Sequence, residues 1–372
     1  MTMRLEIITS LAAFRDLNGP WNDLLRGHPL DHAFMRHEWF ACWLAHFSGS
    51  SALCCAVARD RDRLVAAAPM LVSRERIKGL SARVLGFAAS TITPRCNVIL
   101  APDCAAEEFF AFLLAIPGVD LVVARGLDRE AAATAAFTGF LSQTGRAAVS
   151  EPGRLSPFIT TGGAWGDYFR SLPKSFRQNL RTGANKLGRA GDVSIKKVDT
   201  YVEFKHLLPE LVNVSARSWK AAEGTDLGSL PQVVAFLDDF SRLGEPAGLW
   251  ELWVLFLDGR PIAFDYYLCG PQRLSLIRTD FDLAFKDLSP GHNLQQAVLQ
   301  DLFARPGVWE HDMGGQAYGY KLRWTDKLRP HIDLWTAGSR RWGRVLMFGK
   351  SRFLPLIRRP SRRSESETGE TA

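Results

Sequence analysis

The sequence predicts an α/β (α+β) protein of two tandem units, each a mixed, largely antiparallel sheet flanked by helices. Three observations lead there. The chain has 372 residues, of which 47% are hydrophobic and 23% charged, a globular balance on a length that exceeds one typical core. Helical and strand periodicities alternate along it. Apolar strands flank a short charged turn in each half, at Asp60-Arg-Asp-Arg63 and at Asp258-Gly-Arg260, within a similar order of elements.

In the first half, Leu11, Phe14, Leu17, Trp21, Leu24 and Leu25 lie near helical spacing. Trp39, Phe40, Trp43, Leu44 and Phe47 mark a second, aromatic helix over 34–47. Residues 52–59 and 64–73 read as the arms of a hairpin, with further strands over 83–88 and 97–100. A helix over 107–116, a buried strand over 119–124 and an alanine-rich helix over 128–143 complete the unit. Pro152 and Gly153 mark a boundary, so the first domain is 1–155.

In the second half, Trp165, Tyr168, Phe169 and Leu172 open a helix that Pro173 interrupts. Phe176, Leu180, Ala184 and Leu187 then resume the spacing. Phe204 through Trp219 reads as one long amphipathic helix. Strands follow over 250–257, 261–269 and 273–279, then a helix carrying Leu294, Val298 and Leu302 and a strand over 308–313. Trp219 and Trp324 read as core. The second domain is 156–340, and 341–372 reads as a basic, partly disordered tail.

No apolar run approaches the ~18 residues that span a bilayer, and the first residues lack a signal-peptide pattern. The expected location is cytoplasmic. The six cysteines show neither CxxC spacing nor a His partner at ligand distance, so buried thiols and no metal are expected. The net charge is +7, with Arg340, Arg341, Arg344, Lys350, Arg352, Arg358, Arg359, Arg362 and Arg363 near the C-terminal end. That cluster reads either as a solvated tail or as a peripheral contact at the inner face of the membrane. No specific nucleic-acid partner is expected.

The chemistry-bearing feature is Ser289-Pro290-Gly291 between a strand and a helix. Free N–H groups at a helix N-terminus meet anions, Pro suits the first turn, and Gly lets a phosphate approach the backbone. Ordered around it are Gly259-Arg-Pro-Ile-Ala263, Asp312-Met-Gly-Gly315 and Tyr320-Lys321. With Trp21, Trp39, Lys174-Ser-Phe-Arg177, Leu180-Arg181 and Arg217-Ser-Trp219, these residues resemble the GNAT-type acetyltransferases of the CelD-like, cellulose-biosynthesis family, relatives of the FemAB peptidyltransferases.

The resemblance implies tandem GNAT folds, the second binding acetyl-CoA with its pyrophosphate at the loop before the helix. Ser289, Gly291, His292 and Asn293 would then hold the cofactor. Leu288 and Asn293 fill the outer positions of the usual pyrophosphate pattern, a departure from the family. The implied activity moves an acetyl or other acyl group to an amine or hydroxyl of a small-molecule or saccharide acceptor, in exopolysaccharide or envelope biosynthesis. Two other readings are a FemAB-like aminoacyltransferase and a non-catalytic GNAT-like protein docking on a membrane synthase.

The reaction needs a base, an oxyanion donor and a proton for the thiolate. Asp265, Asp280, His292 and Asp312 are the candidate bases, with Asp312 preferred because it ends a strand beside a Gly-Gly turn. Tyr318 or Tyr320 would protonate the thiolate, and the oxyanion donor is sought near Arg278 to Asp280. Lys174, Arg177 and Arg181 fall at i, i+3 and i+7, a stripe that with Lys321 suits an anionic acceptor. In the first half Thr93-Pro94-Arg95 is the nearest counterpart of the loop and lacks its Gly. That copy is expected to be structural or acceptor-binding.

Overall fold

The computed structural model describes residues 3–90 and 92–357. They form two compact units: the first takes the chain up to Arg154 and again from Arg329, the second takes Leu155–Leu328. The fold expected from the sequence is the fold observed, mixed α/β with mainly antiparallel sheets flanked by helices.

The first unit opens with β1 (Arg4–Ile8), α1 (Leu11–Arg15), α2 (Asn18–Leu25) and α3 (His37–Phe47). Ser10 Oγ accepts the Ala13 N–H and starts α1. Trp21, Phe14, Phe34, Trp39 and Phe40 are fully buried between these helices, which is why the aromatic spacing was strong. Strands β2 (Ala52–Leu53), β3 (Cys55–Asp60), β4 (Arg63–Ala68), β5 (Met70–Ile77), β6 (Leu80–Phe87) and β7 (Ile99–Leu100) follow. The turn at 60–63 is a hairpin with Arg61 at φ 55. The expected single strand 64–73 is two strands in two sheets, because Pro69 has no N–H for a ladder and its carbonyl accepts from Ala88.

After α4 (Ala106–Ala115) come β8 (Leu121–Asp128), α5 (Ala132–Gln143) and β9 (Ala148–Thr160). One sheet runs β1-β3-β4-β7. The other strands of the unit join antiparallel, except for β6 beside β8, which is parallel over Val84–Gly86 and Leu121–Val123. The chain leaves the first unit within β9.

The second unit contains α6 (Trp165–Ser171), α7 (Lys174–Ala190), β10 (Val193–Val198), α8 (Tyr201–Ala216), α9 (Pro231–Gly244), β11 (Trp250–Leu257), β12 (Arg260–Gly270) and β13 (Arg273–Phe281). It continues with α10 (Pro290–Ala304), β14 (Glu310–Asp312) and α11 (Gly319–Leu322). Its strands run in the order β10-β11-β12-β13-β14-β9. Leu255, Ile262, Tyr267, Leu274, Leu294 and Val298 pack α10 on one face of this sheet. The expected helix to Trp219 stops at Ala216, and Trp219 is 43% exposed on a short 3-10 turn, not core. Trp324 is buried as expected.

The last strand, β15 (Leu328–Ala337), pairs with β8, and α12 (Arg341–Ile357) follows. The boundary at 340 and the tail from 341 therefore need correction. Leu346 and Met347 are buried with Val84, Leu121 and Trp335, so apolar burial folds the first part of the basic segment onto the first unit. Residues 358–372 lie outside the described residues. Among the described residues no helix is long and apolar enough to cross a membrane, and no group of three metal-ligating side chains occurs.

Candidate active site

Strand β13 pairs with β14 only through Arg273, Leu274 and Ser275, yet it continues to Phe281. The chain after β14 turns away at Gly314, whose φ is +68. A Cβ there would stand 2.4 Å from the Leu276 carbonyl oxygen, so only Gly fits this close approach. The Asp312 carboxylate is buried and accepts the Gly314 N–H at 2.9 Å. Lys321, also buried, donates Nζ to the carbonyls of Met313 (2.7 Å) and Gly314 (3.2 Å). Asp312 and Lys321 thus build the turn that parts the two strands. On the other side of β13 a bulge between Tyr266 and Tyr267 shifts the register, leaving Ile277 as the extra residue.

Beyond the parting, β13 carries a buried charged cluster. Asp280 accepts from Arg278 Nε at 2.5 Å and Ser215 Oγ at 3.0 Å, and Lys220 Nζ lies 2.8 Å from its other oxygen. Lys220 also donates to the Thr279 carbonyl at 2.6 Å, and Arg278 donates to Ser215 Oγ at 2.9 Å. Burial lowers the Lys220 pKa against the pull of Asp280. Asp265, opposite Thr279 on β12, accepts from the Tyr267 hydroxyl at 3.0 Å. The carboxyl is buried, and burial pushes its pKa up to about 6 against the lowering effect of the Thr279 and Tyr267 hydroxyls. A carboxyl poised there can exchange a proton near neutral pH.

Tyr318 and Tyr320 stack with ring centroids 6.3 Å apart, and the Lys321 ammonium lies 5.5 Å and 5.8 Å from the two rings. Tyr320 is 41% exposed overall, but its hydroxyl end is buried, and that burial, followed by the charge of Asp265, raises its pKa, so the phenol keeps its proton. Asp312, Tyr318, Tyr320 and Lys321 therefore form one assembly around the turn, with Tyr320 inside the electrostatic reach of Asp265.

Ser289-Pro290-Gly291 begins α10 as expected. Ser289 sits at φ 52, ψ 49, and Pro290 is the first helical residue. Asn293 Nδ2 donates to the carbonyls of Leu288 (2.9 Å) and Ser289 (3.0 Å), which holds the loop closed. Gly183 of α7 packs here, since a Cβ on it would be 3.1 Å from Ser289 Cβ. Among the described residues nothing accepts the Gly291 or His292 N–H, and α10 has no acidic residue in its first turn. These are the free donors at the positive end of a helix dipole. The His292 ring packs against Phe176 and Trp324, and burial lowers its pKa to about 4. The ring is thus a neutral packing group at neutral pH.

The stripe on α7 does not act as one group. Lys174 and Arg181 are exposed, with Arg181 over the Phe169 ring at 5.7 Å. Arg177 is half-buried, and its Nε has no hydrogen-bond partner. Ser215, Lys220 and Tyr267 were missed from the sequence. Asp265 did leave a signal, as the lone carboxylate in the apolar run Pro261 to Cys269.

A mainly antiparallel sheet whose parallel strand pair parts beside a helix N-terminus is a GNAT-like fold. Residues 174–322 match the family described as an acetyltransferase (GNAT) domain. No curated protein matches the chain. Among solved structures, FemX has a TM-score of 0.59 at 10% identity, covering 92% of this chain and 100% of its own. The C-terminal domain of a lysylphosphatidylglycerol synthetase from Agrobacterium fabrum, itself described as putative, has a TM-score of 0.54 at 11% identity, covering 93% of this chain and 97% of its own. L-PGS from Bacillus licheniformis has a TM-score of 0.50 at 13% identity, covering 92% and 95%. At these identities the likeness is one of fold.

Proposed function

We propose that the second unit transfers an acyl group, acetyl first among them, from a CoA thioester to an amine or hydroxyl of the acceptor. The observation that carries this reading is the parting of β13 from β14 next to a helix head with two free amide N–H groups. A pyrophosphate fits those donors, with Gly291 giving it access to the backbone and the half-buried Arg177 on neighbouring α7 supplying charge. When bound, the thioester supplies the acyl carbon.

The chain's own residues manage the protons. Asp265 takes the proton of the attacking amine or hydroxyl as the bond to the acyl carbon forms and the C–S bond breaks. Tyr320 returns a proton to the departing sulfur. Asp265 suits the base role better than Asp312, whose Oδ1 is already engaged by Gly314. Lys220 and Arg278 hold Asp280 and balance its charge beside the reacting groups. The resemblance to CelD-like enzymes supports a saccharide acceptor in envelope or exopolysaccharide synthesis, at the cytoplasmic side.

Thermal unfolding with acetyl-CoA, desulfo-CoA and an aminoacyl-tRNA tests the reading, since a ligand raises apparent stability only if the native state binds it. Acetyl-CoA should raise the midpoint, and Gly291→Trp should abolish the rise. A rise with aminoacyl-tRNA and none with any CoA ester would overturn CoA dependence.

A further inference from the structure

The first part of α12 carries two opposed faces. With about 100° between successive residues, Gly343, Leu346, Met347 and Lys350 share one side, and Trp342, Val345 and Phe348 share the other with Arg341 and Arg344. The first side is anchored. A Cβ on Gly343 would be 1.7 Å from the Asp120 carbonyl oxygen, Leu346 and Met347 are buried, and Lys350 Nζ binds both Glu151 oxygens at 2.9 Å. The helix is therefore held in a fixed rotation on the first unit.

The second side is exposed. Trp342 is 38% exposed, Val345 57% and Phe348 59%. The Trp342 indole donates to the Ser81 carbonyl at 3.3 Å, so the β5–β6 turn, with Leu80 at 49% exposure and Lys78 beside it, adjoins the stripe. Arg341 and Arg344 are exposed among these apolar groups. Residues 340–372 hold nine basic and three acidic side chains, a net of +6 out of the chain's +7. An exposed apolar stripe edged by arginines, on the segment holding nearly all the net charge, complements an anionic lipid surface: rings and aliphatics enter the interface while guanidiniums meet phosphates.

We infer that the Trp342–Val345–Phe348 face of α12, with its flanking arginines and the turn at Leu80, docks the protein on an anionic membrane surface. The inference does not depend on the transfer chemistry. Full-length protein should float with phosphatidylcholine vesicles doped with phosphatidylglycerol, and not with phosphatidylcholine alone, and salt should release it. Val345→Ser with Phe348→Ser should weaken binding at least about tenfold, and Arg341→Gln with Arg344→Gln by about fivefold per arginine. Both variants should unfold at the wild-type temperature and keep the acetyl-CoA-induced rise. Binding unchanged by the stripe variant would overturn the inference, because the remaining basic residues would then suffice. So would equal binding to neutral vesicles. A change of oligomeric state in the stripe variant without any vesicle binding would make the face a contact with a second copy, and would also overturn it.

Discussion

Each unit joins a parallel strand pair through a helix, and the two junctions differ. In the first, β6 pairs with β8 up to Gly86 and ends one residue later at Phe87. The segment after it tucks Thr93, Arg95 and Asn97 into the unit as buried polar side chains. In the second, β13 runs from Leu276 to Phe281 past its last pairing with β14, where Asp265 and Asp280 lie within electrostatic reach of Tyr320 and Lys220 pairs with Asp280. The helices differ as well. Helix α4 has Glu107 and Glu108 in its first turn, whereas α10 opens on Pro290 and Gly291 with no acidic group. The first junction offsets its helix dipole with carboxylates, and the second carries no such group. One supersecondary unit thus yields a closed junction and an open one through few residues.

The sharpest way to break the comparison is to disarm the open junction. Asp265→Asn keeps the shape but cannot accept a proton, so acyl transfer should fall about 10²- to 10⁴-fold while acetyl-CoA still raises the unfolding midpoint. The wild-type rate should depend on pH with a defined sign. Burial raises the Asp265 pKa to about 6, so the carboxyl is protonated below that pH and useless as a base. Turnover should drop tenfold per unit of pH on the acid side and level off above it, and the Asn variant should lack this limb. A full-rate Asn variant with the same limb would return the base role to another group.

A smaller effect is expected from making the open helix resemble the closed one. Gly291→Glu adds to α10 the first-turn carboxylate that α4 has, in a position where a Cβ would meet only Phe281 Cδ1 at 3.6 Å. The fold should tolerate it. Affinity for acetyl-CoA should drop about tenfold as the new charge faces the phosphates, read as a shifted dependence of the unfolding midpoint on ligand concentration. Undiminished affinity would mean that the pyrophosphate does not rest on α10.

Much of this contrast was legible in the sequence, and the missing part has a physical reason. Ser289-Pro290-Gly291 announced a helix start, and Thr93-Pro94-Arg95, its nearest counterpart in the first half, lacked the Gly. Local rules sufficed because caps and turns are local. The parting of β13 from β14 was not legible, since it depends on Gly314 approaching Leu276 across the sheet and on Lys321 reaching back to the Met313 and Gly314 carbonyls. Asp312 looked like a base for the same reason: a strand-end carboxylate has one sequence appearance whether it holds a turn or a proton. Lys220 lies in a segment whose helical spacing suggested continuation of α8, so its burial against Asp280 had no signature. Strand β10, with Lys196 and Lys197 exposed, lacked the apolar pattern that reveals strands. The basic C-terminal segment read as tail because its charges outnumber the two residues, Leu346 and Met347, that dock it.

The smallest effect should come from the closed junction. Glu107 and Glu108 lie exposed at the head of α4, whose preceding residue Ala105 offers no side-chain cap. Their carboxylates are the main charge compensation at that helix end, and each such group contributes about 0.3–1 kcal/mol when exposed. Replacing both by Gln should destabilise the protein by about 1 kcal/mol, and added salt should shrink the difference by screening the wild-type interaction. The acetyl-CoA-induced rise should be identical to that of wild type, because the ligand is assigned to α10. If removing these charges instead increased the rise, or added a second binding phase, the head of α4 would be a latent anion site that its own glutamates suppress. The two junctions would then differ in charge alone and not in architecture.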